Sequence, residues 1–181
     1  MYQSINTLLL DMIRFILVIV FFSFVSCNPK DDKKIINGKD VFTWDVQLAG
    51  YDYSKSDRKG EVNYSNFINE FDNFPWMEQI DKYQEIRSGC SPTMSVTDNL
   101  TGKNFWVSMA GDSEENIYLI GYIYLKDKTR NIRWLEIYLT EYITTVKHNF
   151  KLFFNRNFEE LESSIRQLEL YEQMESKDLA F

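Results

Sequence analysis

The sequence predicts an α+β domain: a four- to five-stranded antiparallel meander sheet, with helices before it and an amphipathic helix at its C-terminal end. Two observations carry this. Four β-rich runs follow one another between residues 93 and 139 with only short turn segments between them, and stretches with apolar residues at helical spacing flank them on both sides. Short connections make neighbouring strands antiparallel, because a parallel pair needs a long crossover. Residues 41–181 are enough for one domain with a core and not for two.

Val41 to Leu48 (VFTWDVQL) is rich in β-formers and reads as a first strand, followed by a polar loop through Gly60. From Ser65, the side chains Phe67, Ile68, Phe71 and Phe74 recur at helical spacing. Pro75 restarts the chain in the first turn of a second helix, whose face (Trp76, Met77, Ile80, Tyr83) runs to about Ile86. The four strands are then Thr93 to Val96, Asn104 to Met109, Ile117 to Leu125 and Ile132 to Leu139. Tyr142 to Phe154 fits a helix through Tyr142, Val146, Phe150 and Phe153. It also fits a strand through Val146, His148, Phe150, Leu152 and Phe154; the helix is preferred on spacing. Asn157 and Glu160 form a capping-box pattern. The helix it opens is expected to bury Phe158, Leu161, Ile165, Leu168 and Tyr171, and to present Glu159, Glu162, Glu169 and Glu172 to water.

The N-terminal 26 residues are excluded from this fold. Phe15 to Ser26 is an apolar run of 12 residues behind Arg14. Such a helix rises about 18 Å, short of the roughly 30 Å hydrocarbon core, so the run suits the apolar region of an export signal better than a membrane span. Met12 offers a cleaner basic start than Met1, which makes residues 1–11 read as an upstream mis-start. Phe24-Val25-Ser26-Cys27 resembles the lipobox of bacterial lipoproteins, with Phe24 where leucine is usual. That resemblance implies cleavage before Cys27 and lipidation of Cys27, which would anchor the protein to a membrane of the cell envelope, the outer membrane being the expected one. The alternative is an ordinary secretory signal with a chance cysteine. Residues 27–40, polar and charge-dense, read as a flexible tether. Within it Lys30-Asp31-Asp32 resembles the surface-export signal of some lipoproteins, and equally suits a solvated spacer.

Charge and residue inventory exclude several functions. The net charge of −7 argues against nucleic-acid binding, which depends on lysine and arginine neutralising phosphates. His148 is the single histidine, and with Cys27 lipidated Cys90 is the single thiol, so no disulfide and no zinc site of several Cys and His ligands is expected. Cys90, in the tight Ser88-Gly89-Cys90-Ser91-Pro92 segment, and His148 are the one nucleophile and base pair the chain permits. A small buried cysteine and a solvated histidine explain both residues better. Asp98, Asp112, Glu114 and Glu115 fall in turns of the meander, where a carboxylate pair for glycoside hydrolysis would need a fixed separation; solvation of turns accounts for them better. No phosphate-binding glycine loop, nucleophile elbow or dinucleotide fingerprint is present, and no cofactor, metal or catalytic residue is assigned.

The mature chain also resembles, in style, small single-domain immunity proteins that neutralise toxins delivered between bacteria. The resemblance lies in Phe74-Pro75-Trp76, Ser91-Pro92-Thr93, the strand run to Leu139, and Phe153-Phe154 before an acidic helix. It implies a protein-binding domain that inhibits by stoichiometric occlusion without turnover. Candidate contacts to a basic partner are Asp98, Asp112, Glu114, Glu115, Glu159, Glu162 and Glu169. The alternatives are a carbohydrate-binding or nutrient-capture lipoprotein, using exposed Trp or Tyr as platforms, and a small hydrolase using the turn carboxylates or Cys90. The anchor is open to a direct check. Cells given labelled palmitate should incorporate it into the wild-type chain, and Cys27→Ser should abolish both labelling and recovery in the membrane fraction; an unlabelled wild-type chain removes the lipoprotein reading.

Overall fold

The computed structural model describes residues 41–111, 116–127 and 129–176. They fall within one compact unit of the chain, Ile36–Phe181. The fold is α+β, with seven antiparallel strands and four helices among the described residues. In chain order these are β1 (Phe42–Gln47), β2 (Asp57–Val62), α1 (Tyr64–Asn73), α2 (Trp76–Ile86), β3 (Thr93–Asp98), β4 (Lys103–Gly111), β5 (Asn116–Asp127), β6 (Ile132–Thr140), α3 (Ile143–Phe154), α4 (Phe158–Ile165) and β7 (Glu169–Ser176). The sheet is open, with strand order β2-β1-β3-β4-β5-β6-β7. β3 to β6 form the expected meander, β1 joins it beside β3, and Ile143–Phe154 is the helix that its spacing favoured.

Two strands exceed the expected count. β2 lies in what reads as polar loop: DRKGEV has almost no apolar residue, because it is an edge strand paired only to β1 and its side chains stay in water. β7 replaces the expected last turns of the C-terminal helix. α4 ends at Ile165, and Glu169 onward pairs with β6, so Tyr171 lies on a strand and not on a helix stripe. ELYEQMES fits either period, and the unpaired backbone of β6 decides for the strand.

All four helices bury their apolar stripes in one core with one face of the sheet. Phe67 and Phe71 from α1, Trp76 and Ile80 from α2, Val146, Phe150 and Phe153 from α3, and Leu161 and Ile165 from α4 meet Phe42, Met94, Val96, Phe105, Val107, Ile120 and Tyr122 of the strands. Phe150 is central, with ring centroids 4.6 Å from Phe67 and 4.9 Å from Phe105. Asn149 is fully buried on α3 with neither amide atom hydrogen-bonded. The side chain of Asn63 accepts from the Asn66 N–H at 2.9 Å and starts α1, whereas Asn157 bonds Glu160 directly and does not cap α4 by its side chain.

Asp98 joins the helices to the meander. It is fully buried at the end of β3, and accepts from Nε and a terminal nitrogen of Arg156, each at 2.9 Å, from the Thr101 hydroxyl at 2.8 Å and from the Leu100 N–H at 3.0 Å. Arg156 follows α3 with φ of 55°, a left-handed conformation that costs a side-chain-bearing residue about 1 kcal/mol. That conformation closes the helix through the Asn157 N–H to Leu152 O bond, and the two charge-assisted bonds to Asp98 offset its cost. Burial pushes the Asp98 carboxyl up, but the Arg156, Thr101 and Leu100 donors outweigh it and hold it below the usual range. A carboxyl lowered on folding contributes stability that is present above its unfolded pKa and lost as pH falls through the folded value. The domain should therefore lose stability below about pH 4. Asp98→Ala should cost about 3 kcal/mol at neutral pH and flatten that acid limb, measured by urea unfolding across pH.

Candidate functional site

The helices cover one face, and alternation along each strand turns the other set of side chains to the opposite face. On β1, β3 and β4 that open face is polar: Asp45 and Gln47, Thr93 and Ser95, Asn104 and Ser108, with Trp106 among them. On β5 and β6 it is apolar, with Ile123, Leu135 and Ile137 packed against Trp106 and Leu119. A cleft of about 960 Å³ lies over the polar half, and the β1–β2 connection forms part of its wall.

Backbone constraints build this cleft. Between β1 and β2 the register slips at Trp44/Asp45, so that Arg58 stands opposite Asp45 and on its face. Asp45 is in turn paired across to Ser95, and Ser95 to Trp106, which places Arg58, Asp45, Ser95 and Trp106 in one row across four strands. The next residue of that row is Gly121. The indole lies directly on it: a Cβ at position 121 would fall 1.9 Å from Trp106 Cε2, so only glycine lets the ring rest there. The wall is fixed as firmly. Gln47 Nε2 donates to Tyr53 O at 3.3 Å and to Lys55 O at 3.2 Å, and Asp52 accepts from the Ser54 N–H at 3.1 Å. Cys90 N–H donates to Tyr51 O at 2.8 Å, and Gly50 N–H donates to Cys90 O at 3.0 Å. A Cβ on Gly89 would come within 2.5 Å of Tyr51 O.

Burial pushes the Asp45 carboxyl upward, against the hydrogen bond from Ser95 and the charge of Arg58, which stabilise the anion. Desolvation combined with a charge partner in a cleft makes Asp45 a candidate for ligand contact. Asp45 and Trp106 belong to no motif, because the constellation is assembled across four strands. The alternation of polar residues along β1 and β3 was the one sequence signal that could have pointed to it.

Of the carboxylates proposed from the sequence, the described ones, Asp98, Glu159, Glu162 and Glu169, do not line this cleft. Asp98 is buried in its pair with Arg156, away from any partner. Lys103 and Gly111 bound β4 at its two ends, so Asp98 lies about 27 Å along the strand from Gly111. Asp112, Glu114 and Glu115 lie outside the described residues, as does Cys27. Glu162 is engaged within the fold. It accepts from the Tyr122 hydroxyl at 3.2 Å and lies 3.5 Å from Lys103 and 3.6 Å from Arg166, a network that fastens α4 to the sheet. Burial there, with Glu162 beside it, drives the Tyr122 hydroxyl far above its ordinary value. Glu159 is exposed on α4, and Glu169 begins β7, so it shares no helix face with Glu159 and Glu162.

β7 is the free edge of the sheet beyond β6 among the described residues. Its Leu170, Tyr171 and Met174 are 49%, 62% and 37% exposed, interleaved with Glu169, Glu172 and Glu175. Among the described residues no cluster of three or more His, Cys, Asp or Glu side chains is placed to hold a metal ion, and no helix is long and apolar enough to cross a membrane. No protein-family model, curated protein or solved structure matches the chain.

Cys90 and His148 are not brought together. Cys90 borders the cleft on the open face, while His148 is exposed on α3, which packs on the other. The Cys90 thiol is buried, and burial together with the nearby Asp52 raises its pKa, so the reactive thiolate is disfavoured. In a Cys27→Ser background, native Cys90 should react with a thiol reagent at neutral pH at least an order of magnitude more slowly than in guanidinium. Rapid native labelling would instead revive a thiol chemistry.

Proposed function

We propose that this chain is a lipid-anchored protein of the bacterial envelope whose folded domain binds another protein stoichiometrically, as an immunity protein binds its toxin. The supporting observation is β7. Among the described residues no strand lies beside its outer edge, which makes it a template for an added strand from a partner. The exposed Leu170, Tyr171 and Met174 supply apolar contact, and Glu169 and Glu172 select a basic partner strand while repelling a second copy of β7; Glu175 is paired with Lys126 at 3.2 Å. The net charge of −7 acts in the same direction at longer range, steering a basic protein to encounter.

No turnover is required by this reading. Occlusion of a toxin needs affinity and a matching surface, and the anchor at Cys27 would hold the domain where a delivered toxin arrives. The full chain in detergent should form a one-to-one complex with the product of a neighbouring toxin gene, and association should slow as salt is raised, since exposed charges are screened over about 8 Å at physiological ionic strength. Glu169→Lys with Glu172→Lys should weaken the complex about tenfold or more, while Asp31→Lys with Asp32→Lys in the tether should leave it unchanged. A deletion strain that competes normally beside toxin-bearing siblings, together with no complex between the two gene products, would remove the proposal.

A further inference from the structure

The cleft over β1, β3 and β4 is not used by the edge-strand interaction and has a chemistry of its own. We propose that it is a binding site for a short neutral saccharide, with Trp106 and Tyr53 packing on sugar faces and Asp45 accepting hydrogen bonds from sugar hydroxyls.

Size and lining agree with this ligand class. A volume of about 960 Å³ falls within the roughly 300–1,000 Å³ of small-ligand sites. Its floor is built from hydroxyl and amide groups on rigid strands, an unsuitable lining for a purely apolar molecule. Two bases border it as well: Arg58 stands opposite Asp45, and the Lys55 ammonium sits 3.8 Å from the centre of the Tyr51 ring. A ligand rich in hydroxyls, which both donate and accept, matches this mixture of carboxylate, amide and hydroxyl.

The aromatics are placed for ring faces. Trp106 lies against Gly121 and borders the cleft, so a broad π-surface belongs to a floor that the backbone holds flat. Tyr53 also lines the cleft and is 80% exposed, and the segment carrying it is held down by Gln47 and by the Tyr51–Cys90 bond. An exposed aromatic on a fixed segment, facing a cleft that contains a second one, can enclose a ring whose C–H groups meet the negative faces of both. Asp45 is half-buried beside Ser95 and opposite Arg58, and desolvation there raises its carboxyl against the Ser95 hydrogen bond and the Arg58 charge. A hydroxyl bonded to that carboxylate gains more than it would at an exposed one.

The site lies on the β2 side of the sheet and β7 lies at the other end, so either interaction can fail without the other. The full chain in detergent is titrated separately with maltotriose, cellotriose, xylotriose, mannotriose and chitotriose while tryptophan emission is followed. At least one should give a saturable change in emission. By isothermal titration calorimetry with that sugar, Trp106→Ala and Trp106→Phe should weaken binding, the former more, and Asp45→Ala should weaken it about tenfold or more, as loss of a charged hydrogen bond does. Gly121→Ala, which displaces the indole, should act like Trp106→Phe, and Glu172→Lys should leave binding unaltered. Circular dichroism identifies any variant that fails to fold, in which case Asp45→Asn serves as the milder replacement. The proposal is overturned if none of the five trisaccharides alters emission, or if neither Asp45→Ala nor Trp106→Ala weakens binding.

Discussion

The packing of Phe150 between the helices and the sheet is the contact on which the rest of the domain depends. This one side chain on α3 meets Phe67 and Phe71 of α1 and Phe105 of β4, and its neighbour Phe153 stacks on Phe105 at 5.6 Å. Each buried phenylalanine contributes about 1.5–3 kcal/mol of hydrophobic free energy, and edge-to-face ring pairs add to it. With Cys90 a free thiol and no metal cluster among the described residues, this aromatic layer does the work that crosslinks perform in smaller domains.

A consequence follows for the opposite face. The two helical pairs leave from different parts of the chain, yet both return to the same side of the sheet because that is where Phe105, Ile120 and Tyr122 point. Alternation then commits Ser95, Asn104, Trp106 and Ser108 to the other side. The cleft is thus the reverse of the core, and its rigidity derives from the same strands. The connection that walls it is short of apolar residues, and is held by backbone bonds to Cys90 and by the Gln47 amide. The Ser88–Pro92 segment therefore has a structural explanation in close backbone approach at Gly89, and the cysteine in it needs no reactivity.

Electrostatics divide into interior and surface roles. Asp98 with Arg156, and Glu162 with Lys103 and Tyr122, bind helices to strands and are partly or fully withdrawn from water, while Arg166 reaches Glu162 from an exposed position. The acids of β7 remain exposed, where a surface charge adds little to stability and much to the choice of partner. The β6–β7 pairing slips at Tyr171, so this edge has no lysine or proline but is bulged and acidic.

Much of the domain is legible in the chain. Periodicity marks α1, α2, α3 and the β3–β6 meander, since these elements bury one face and a buried face imposes its period on the residues. The apolar run before Cys27 is equally plain, because it is a linear segment of the chain. Edge strands leave no such mark. β2 buries almost nothing, and β7 carries a pattern that suits helix or strand, so only the unpaired edges of β1 and β6 decide them. The same holds for the charges: nothing local distinguishes Asp98 and Glu162, engaged inside the fold, from Glu159 and Glu169 on its surface. Asp45, Ser95 and Trp106 are far apart in the chain and neighbours only through strand register. The sequence alone determined which segments could bury a face; which residues share the open face, and therefore what it can bind, was decided by pairing across the sheet.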